Sequence, residues 1–489
     1  MLKKSGYSIT PSLSFIKTFG FIILALCAVS FFHQNAHSEE RTGRDSLIIK
    51  ELTGYDAEVI KTRPEAFVEK LEKISESAFS FYRGTAILFY RDLFDKSLAL
   101  SAGDENFTPG GLNGCYINGD LHIANFGFSR NSENDAQFDA NDFDESYIGS
   151  YMLDLKRLAV SISLMARQNG IQNHEEKLLE SFLDSFIKKI KGFASGENAF
   201  KYSITAKNAD GCIAKILEKL DGKKRVDILK KYCAMSEPNR LLINEELRLV
   251  PGDEIEKIKN AFNKHYVPGV IKKSAEKYED GFFKLLDIRE KLHSGTGSLG
   301  LTRYYILIGG KTPDGFEKNL IIEMKRQRAS VVAKYGARQG LDSAFKDDAR
   351  RALLGSYALA SKVSPFIGAA EMDGGFYLLR EISPQKSSLK FEEMSVSDLE
   401  ELCESAGKIY AKMIVKCANP KSVPHASQLA ALLSSDEKIN DFKRHVINFA
   451  LAYSSTVEKD YELFLKHKDT LIKKFKSQAA KSEFIKTGN

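Results

Sequence analysis

The chain has 489 residues, of which 43% are hydrophobic and 28% are charged, and it carries a formal charge of +6. This length and composition are typical of a globular protein with a large core, and they exclude a disordered or fibrous chain. Three of the positive charges lie within the first 38 residues. The net positive charge of the rest of the chain is therefore too small to indicate nucleic acid as a partner.

The first 38 residues have the pattern of a signal peptide. Three lysines precede an apolar run at 19–32, and Ala36 and Ser38 occupy the −3 and −1 positions of a cleavage site. The apolar run is too short to span a bilayer, and no later stretch is apolar enough to do so. We therefore predict an exported protein, periplasmic or secreted, with no membrane span after cleavage of residues 1–38.

Five cysteines remain after this cleavage, and none of them belongs to a Cys-x-x-Cys pair of the kind that binds metals. Export permits disulfide bonds. We interpret these cysteines as buried thiols, and a Cys212–Cys233 bridge is the alternative.

The segment before residue 100 is predicted to be helical. Apolar residues recur at helical spacing over 65–81 and 86–100, on either side of an Arg83-Gly84 break. Arg83 follows two aromatic residues, and it either contacts a phosphate or forms a structural salt bridge. The segment 101–114 is rich in Gly, Asn and Pro and is predicted to be a loop.

A glycine–aspartate motif is the most informative feature of the chain. A short predicted strand at 115–117 leads into Gly-Asp-Leu-His-Ile-Ala-Asn, which contains Asp120 and Asn125. These two residues have the spacing of kinase catalytic loops, in which the aspartate takes the proton of the hydroxyl nucleophile and the asparagine binds metal. We predict Asp120 as the catalytic base and Asn125 as a ligand of Mg²⁺. The alternative is a turn whose side chains only cap their own backbone.

Acidic residues occupy the end of the next predicted strand, at 136–143, and the positions directly after it. Asp142 ends this strand, and we predict it to be the second ligand of Mg²⁺, with Asp144 as the alternative. Asp139 is interpreted as structural. His122 is interpreted as a residue that fixes the loop by hydrogen bonding, with metal binding as the alternative.

Helical periodicity resumes at 151–169 and 174–193, and the charged segment 197–290 is also predicted to be helical, with breaks at Gly and Pro. Asp154 lies on the first of these helices, where we expect it to hold the catalytic loop through the loop backbone. The segment 197–290 and the loop at 101–114 are the expected determinants of acceptor specificity.

A glycine-rich turn at 293–300 precedes a predicted strand at 301–308. Because a strand follows the turn, the sequence is neither a dinucleotide fingerprint nor a Walker loop, which both lead into a helix. The amides of such a turn between two strands can point at phosphate oxygens. The residues predicted to cover the phosphates of ATP are Gly295, Gly297, Ser298 and Gly300.

Lys325 lies on the return strand, predicted at 320–325 after a Pro-Asp-Gly hairpin turn. In kinases a strand lysine pairs with the α- and β-phosphates and with a carboxylate on a nearby helix. We predict that Lys325 binds the phosphates of ATP. Its partner is expected on a helix at 343–361, where Asp347 and Asp348 are the available acids.

The remaining sequence predicts strands at 366–371 and 376–382 and amphipathic helices over 396–476. Arg380 closes the second strand, where it either binds phosphate or forms an ion pair. The predicted fold class is α+β, with a small antiparallel sheet in one lobe and a large helical lobe. We divide the chain into a signal peptide (1–38), a helical lobe with the catalytic loop and a helical insert (39–294), a β-rich nucleotide-binding lobe (295–385) and C-terminal helices that complete the helical lobe (386–489).

Several of these motifs resemble the shared core of aminoglycoside and choline-type phosphotransferases, a superfamily with the protein-kinase-like fold. More closely, residues 60–465 resemble a bacterial family of uncharacterised proteins, domain of unknown function 2252, which is assigned to that superfamily. The resemblance implies a two-lobed kinase-like fold and kinase chemistry, without a settled substrate. The stretches that carry it are 81–84, 119–127, 141–145, 154–158, 297–300, Lys325 and 449–460.

The order of the motifs departs from that of ordinary kinases. There the glycine-rich turn and the lysine precede the catalytic loop, whereas Gly295 and Lys325 follow Asp120 here. Circular permutation explains the order, because it requires only that the termini lie near each other at the surface. The permuted fold would place a helix at 402–415 beneath the catalytic loop.

The sequence thus predicts a Mg²⁺-dependent phosphotransferase that moves phosphate from ATP to an unknown hydroxyl acceptor, either a small molecule or a protein. Three alternatives remain open. They are an exported kinase-like binding module without turnover, a nucleotidyl transferase, and a metal-dependent hydrolase that uses Asp120, His122 and Asp142.

Overall fold

A computed structural model describes residues 43–487 apart from short gaps. The predicted signal peptide at 1–38, the hairpin turn at 313–315 and Ser298 lie outside the described residues. Within the described part of the chain, no helix combines the length and the apolar character needed to cross a bilayer. The gaps are 132, 134, 235, 275–277, 294, 296, 298, 311–315, 337–344, 386 and 418–424.

The N-terminal segment is helical, as its periodicity predicts. Pro64 stands in the first turn of the third helix, where its missing N–H costs no hydrogen bond. The Ser77 hydroxyl caps the fourth helix by accepting from the amide of Ser80 at 3.0 Å. The helices are α1 (Arg44–Tyr55), α2 (Ala57–Thr62), α3 (Pro64–Ile74), α4 (Ala78–Gly84) and α5 (Ala86–Phe94).

Four short strands surround the glycine–aspartate motif, and two long helices follow them. The strand β1 pairs antiparallel with β4, and β2 pairs antiparallel with β3. The first helix is almost wholly buried and passes through the centre of the largest apolar core. The elements are β1 (Cys115–Ile117), β2 (Phe126–Arg130), β3 (Ala136–Ala140), β4 (Tyr147–Gly149), α6 (Tyr151–Gln168) and α7 (Glu175–Ala194).

The segment 197–290 is not helical throughout, which corrects the prediction from its charge and helix-forming residues. It contains five strands, and the longest, Leu285–Lys291, pairs with a later strand of the main sheet. Pairing within a sheet therefore overrides local helix propensity here. The elements are β5 (Ile204–Thr205), α8 (Gly211–Asp221), α9 (Arg225–Tyr232), β6 (Cys233–Ala234), β7 (Glu237–Leu241), β8 (Leu247–Arg248), α10 (Gly252–Ala261), α11 (Val267–Lys273) and β9 (Leu285–Lys291).

The main sheet has six strands in the order β12-β13-β11-β10-β9-β8, and all of its pairs are antiparallel. One face is apolar and packs on a second core with α10 and α11. The sheet also includes β8 and β9, which precede the predicted lobe boundary at 295. The remaining elements of this region are β10 (Arg303–Ile308), β11 (Leu320–Arg326), α12 (Val331–Gly336), α13 (Asp348–Leu359), β12 (Gly368–Met372) and β13 (Gly375–Glu381).

Three C-terminal helices return to the first core, so that residues from both ends of the chain share one apolar interior. They are α14 (Val396–Lys416), α15 (His425–Leu432) and α16 (Asp436–Thr487). The mixture of helices with small antiparallel sheets confirms the α+β class. The five cysteines among the described residues are free thiols, and four are buried. The interpretation as buried thiols is therefore confirmed for these four, and Cys212 and Cys233 form no bridge.

Candidate functional site

The loop that contains Asp120 is held through its backbone. The Asp154 carboxylate on α6 accepts the amide N–H groups of Asn118 at 2.6 Å and Gly119 at 3.0 Å, which confirms the expected anchoring role. Gly119 has φ +79°, and a Cβ at this position would lie 2.1 Å from the carbonyl oxygen of Glu145. The turn into Asp120 therefore requires glycine.

Asp120 lines a cleft of the molecule and is paired with a fully buried arginine. The Nε and Nη2 atoms of Arg157 lie 2.7 and 2.6 Å from Oδ1 of Asp120, and the Asp120 side chain is 18% exposed. The Arg157 guanidinium also lies over the Tyr82 ring, 4.4 Å from its centroid. Burial raises the pKa of Asp120 to about 7, although Arg157 opposes the rise. A carboxylate with this pKa is suited to general base catalysis near neutral pH.

Asn125 and Asp142 line the same cleft. The amide group of Asn125 donates from Nδ2 to the carbonyl of Asp120 at 2.7 Å, which leaves its Oδ1 for another partner. The backbone of Asp142 is held by Nδ2 of Asn118 at 2.6 Å. Its carboxylate accepts only a long hydrogen bond, 3.3 Å, from the amide of Asp144 within the described chain. Such a pair of oxygens suits a hard cation such as Mg²⁺.

His122 is buried beside Asp120, with Nε2 4.0 Å from Oδ2 of Asp120. Burial and the neighbouring cation of Arg83 hold the pKa of His122 well below its ordinary value, so the imidazole is neutral. Its Nδ1 has no hydrogen-bond partner among the described residues. The structure therefore does not show the loop-fixing hydrogen bond that the sequence analysis assigned to His122.

Lys325 reaches the acidic cluster from the main sheet. Its Nζ forms an ion pair with the Asp144 carboxylate. Burial opposes ionisation of Asp144, but Lys325 holds its pKa below the ordinary value. This contact corrects the expected partner on the helix at 343–361. Asp347 instead caps α13 through the amide of Arg350, and Asp348 pairs with Arg351.

The remaining acids and bases of this region have structural partners. The buried Asp139 pairs with Lys412 at 2.7 Å, which confirms its interpretation as a structural residue. The Arg380 guanidinium donates to Glu323 at 3.1 Å and to the carbonyl of Asn141 at 3.2 Å. Arg380 thus forms the ion pair that the sequence analysis gave as one of its two options.

Two described glycines of the glycine-rich turn belong to the cleft. Gly295 and Gly297 line the cleft, and the Gly297 carbonyl accepts a hydrogen bond from Arg328 at 2.9 Å. Gly300, at φ +83°, instead packs against Val59 on the other side of the turn. The cavity of the cleft has a volume of about 120 Å³. Its lining residues are Arg83, Asp120, His122, Asn125, Asp142, Asp144, Glu145, Gly295, Gly297, Leu301, Gln327 and Arg328.

Two of the charged residues at the site, Arg157 and Arg328, were not predicted from the sequence to be functional. Arg157 lies three positions after Asp154 on α6, and this helical spacing was the available signal that both face the loop. Arg328 follows β11, and its guanidinium lies 3.8 Å from the centroid of the Tyr55 ring while pairing with Asp56 at 2.9 Å. No local pattern connects Arg328 with residues so far away in the chain.

The comparisons with known proteins identify a family without assigning an activity. A family model described as an uncharacterised protein conserved in bacteria (DUF2252) matches residues 62–467. The chain therefore belongs to this family. No curated protein and no solved structure matches the chain.

Proposed function

We propose that this member of an uncharacterised bacterial family is a Mg²⁺-dependent phosphotransferase of the kinase type, which moves a phosphoryl group from ATP to a hydroxyl acceptor. The acceptor is a small molecule or a protein side chain. The proposed roles are catalytic base for Asp120, metal ligands for Asn125 and Asp142, and phosphate binding for Lys325 and the glycine-rich turn.

One observation carries the proposal: the catalytic loop and the glycine-rich turn, which are far apart in the chain, line the same cleft. Asp120 and Asn125 enter it from the helical side, and Gly295 and Gly297 enter it from the sheet side. The site combines a carboxylate base, oxygen ligands for a cation and, just behind the cleft wall, a strand lysine. These are the parts of a phosphoryl-transfer site, where positioning and charge neutralisation supply most of the catalysis.

The side chains of the cleft suit the two tasks that the reaction sets, which are to bind Mg²⁺ and to accept the proton of the hydroxyl group. Mg²⁺ binds through a few protein oxygens and keeps several waters, and Asn125 Oδ1 and Asp142 offer such oxygens in an open cleft. When bound, Mg²⁺ supplies neutralisation of the phosphate charge. Because Arg157 binds Oδ1 of Asp120, the Oδ2 atom is left to accept the proton of a hydroxyl group.

We also propose that the fold is a circularly permuted, two-lobed kinase-like fold. The glycine-rich turn joins β9 to β10, and Lys325 lies on the next strand, β11. Kinases likewise carry a glycine-rich loop over the phosphates and a lysine on the third strand. The helix α14 contacts β3 beside the catalytic loop through Lys412 and Asp139, at the place where a permuted helix is expected.

A thermal unfolding assay with a non-hydrolysable ATP analogue and Mg²⁺ tests the proposal. We expect the nucleotide to raise the melting temperature of the wild type and of Asp120→Asn, because ligand binding stabilises the native state. Lys325→Met should lose this rise. Asp120→Asn should also lower the release of phosphate from ATP by about 100-fold or more, as expected for loss of a general base.

Lys334→Met is the matched control, since Lys334 pairs with Glu51 on the surface, away from the lining of the cleft. Circular dichroism confirms that each variant is folded. The proposal is rejected when saturating nucleotide leaves the melting temperature of the wild type unchanged. Undiminished phosphate release by Asp120→Asn would remove the assigned base.

A further inference from the structure

Arg83 is a cation of the cleft that the proposed reaction leaves without a role. It lies near the end of α4, and its guanidinium is 5.4 Å from the centroid of the Phe79 ring. It lines the cleft together with Asp120 and the neutral His122. The Arg83 Nε is enclosed without a hydrogen-bond partner, and none of the described ion pairs includes Arg83.

The other cations at the cleft are neutralised by carboxylates. Arg157 pairs with Asp120, Lys325 with Asp144, and Arg328 with Asp56. Burial lowers the pKa of Arg83, and the carboxylates of Asp120 and Glu76 oppose this shift without forming an ion pair with Arg83 among the described residues. Such a charge is costly unless it is paired, so a ligand that brings an anion to Arg83 gains affinity.

The carboxylates of the cleft are engaged as well. Besides the two carboxylates in ion pairs, Glu145 accepts the Tyr55 hydroxyl at 3.0 Å and the amide of Val331 at 2.6 Å. Asp142 is the carboxylate assigned to the metal. Among the residues that the structure describes, Arg83 is thus the one cation of the lining that no carboxylate joins in an ion pair.

We infer that the acceptor carries an anionic group, a carboxylate or a phosphate, which pairs with Arg83 while its hydroxyl faces Asp120. This inference rests on the proposed phosphotransferase function and names its substrate class, hydroxy acids and phosphorylated alcohols or sugars.

The reaction with such an acceptor is balanced. The acceptor oxygen forms a bond to the terminal phosphorus of ATP, and the bond from that phosphorus to the oxygen of the β-phosphate breaks. ADP leaves with the electron pair of the broken bond, and the hydroxyl proton goes to Asp120. Arg83 takes no part in bond making, and it orients the acceptor through a charge-assisted hydrogen bond.

Titration calorimetry with inorganic phosphate, carried out on protein saturated with Mg·ADP, tests the inference. We expect the wild type to bind phosphate and Arg83→Met to bind it about tenfold or more weakly, because the ion pair is lost. Arg350→Met should bind like the wild type, since Arg350 pairs with Asp347 on the surface.

Equal phosphate binding by the wild type and Arg83→Met overturns the inference, as does absence of binding by the wild type. Loss of binding in Lys325→Met with full binding in Arg83→Met also overturns it, because the anion then occupies the nucleotide side. If Mg·ADP does not bind, the proposed function fails, and the phosphate titration without nucleotide still tests Arg83. Arg83→Gln serves as the second variant if Arg83→Met does not fold.

Discussion

At the scale of single residues, the aspartates around the catalytic loop differ in what holds them. Asp154 accepts two backbone amides, Asp139 pairs with a buried lysine, and Asp144 pairs with Lys325. Asp120 is paired with Arg157, yet its pKa is raised to about 7. The role of each acid therefore follows from its partners, because the residue type is the same at every position.

The raised pKa of Asp120 predicts how stability depends on pH. The folded state binds a proton more tightly than the unfolded state, so Asp120 stabilises the fold at low pH and loses this contribution as pH rises to about 7. Compared with Asp120→Asn, the wild type should lose roughly 3 kcal/mol of unfolding free energy between about pH 4 and about pH 7. Urea unfolding of both proteins over this range measures the difference.

Asp154 has a similarly raised pKa of about 7 and remains in both proteins, so its contribution cancels in this comparison. Parallel stability curves for the wild type and Asp120→Asn would show that the pKa of Asp120 is not raised. A wild type that gains stability over this range relative to the variant would reverse the sign and contradict the burial argument.

At the scale of secondary-structure elements, a buried ion pair joins a C-terminal helix to the strand that follows the catalytic loop. Nζ of Lys412 on α14 lies 2.7 Å from Oδ1 of Asp139 on β3 and 2.9 Å from the Ser361 hydroxyl. The other carboxylate oxygen of Asp139 accepts the amide of Ser361 at 2.6 Å. These contacts fix α14 against the strand that leads to Asp142.

Lys412→Met should destabilise the protein by roughly 3–5 kcal/mol, because it leaves Asp139 buried without a counter-ion. Urea unfolding monitored by circular dichroism measures this loss. The double variant Lys412→Met/Asp139→Asn should recover part of it, since the unpaired charge is gone. The control Lys390→Met breaks an exposed pair with Glu393 and should leave the midpoint unchanged. An unchanged urea midpoint for Lys412→Met would contradict a stabilising role of the buried Lys412–Asp139 ion pair.

Most elements could be predicted from the sequence, and the exceptions have a common cause. Strands β10 and β11 are rich in β-branched and aromatic residues, so their local pattern is sufficient. Strand β9 reads Leu-Leu-Asp-Ile-Arg-Glu-Lys, which favours a helix locally, and it is a strand because it pairs with β10 and β8. Pairing between strands distant in sequence leaves no local signal.

At the site, too, residues in a local motif could be predicted, whereas contacts between distant segments could not. Asp120 and Asn125 could be named because their spacing is a local motif, and the structure brings both to the cleft with Gly295 and Gly297. The partner of Lys325 could not be named, because several acids were available and only the fold selects Asp144. The structure also places Gly300 away from the cleft, since turn geometry rather than composition decides which glycine faces it.

At the scale of the whole molecule, the first and last described helices are fastened to each other. Arg44 of α1 pairs with Asp460 of α16 at 2.5 Å and with the buried Asp92 at 2.6 Å. Further along α16, His467 pairs with Asp45 at 2.9 Å. This arrangement places the start of α1 beside α16, so a linker can connect the two described ends of the chain in a circular permutant.

We predict that a permuted chain folds when it begins at residue 275, between α11 and β9, and joins Thr487 to residue 43 by a flexible linker. The helix α16 extends about 30 Å beyond His467. A Gly/Ser linker of about 15 residues reaches about 50 Å and therefore spans this return. The permutant should unfold cooperatively within about 5 °C of the wild type, as measured by circular dichroism.

This permutant places the glycine-rich turn and Lys325 before Asp120, the order found in ordinary kinases. It should retain the nucleotide-induced rise in melting temperature, because the cleft is formed by tertiary contacts that do not depend on chain order. A second permutant opened between Ala159 and Val160 is the control. It cuts the almost wholly buried helix that carries Asp154 and Arg157, so it should not unfold cooperatively. Equal failure of both permutants would mean that the native order of segments is required for folding.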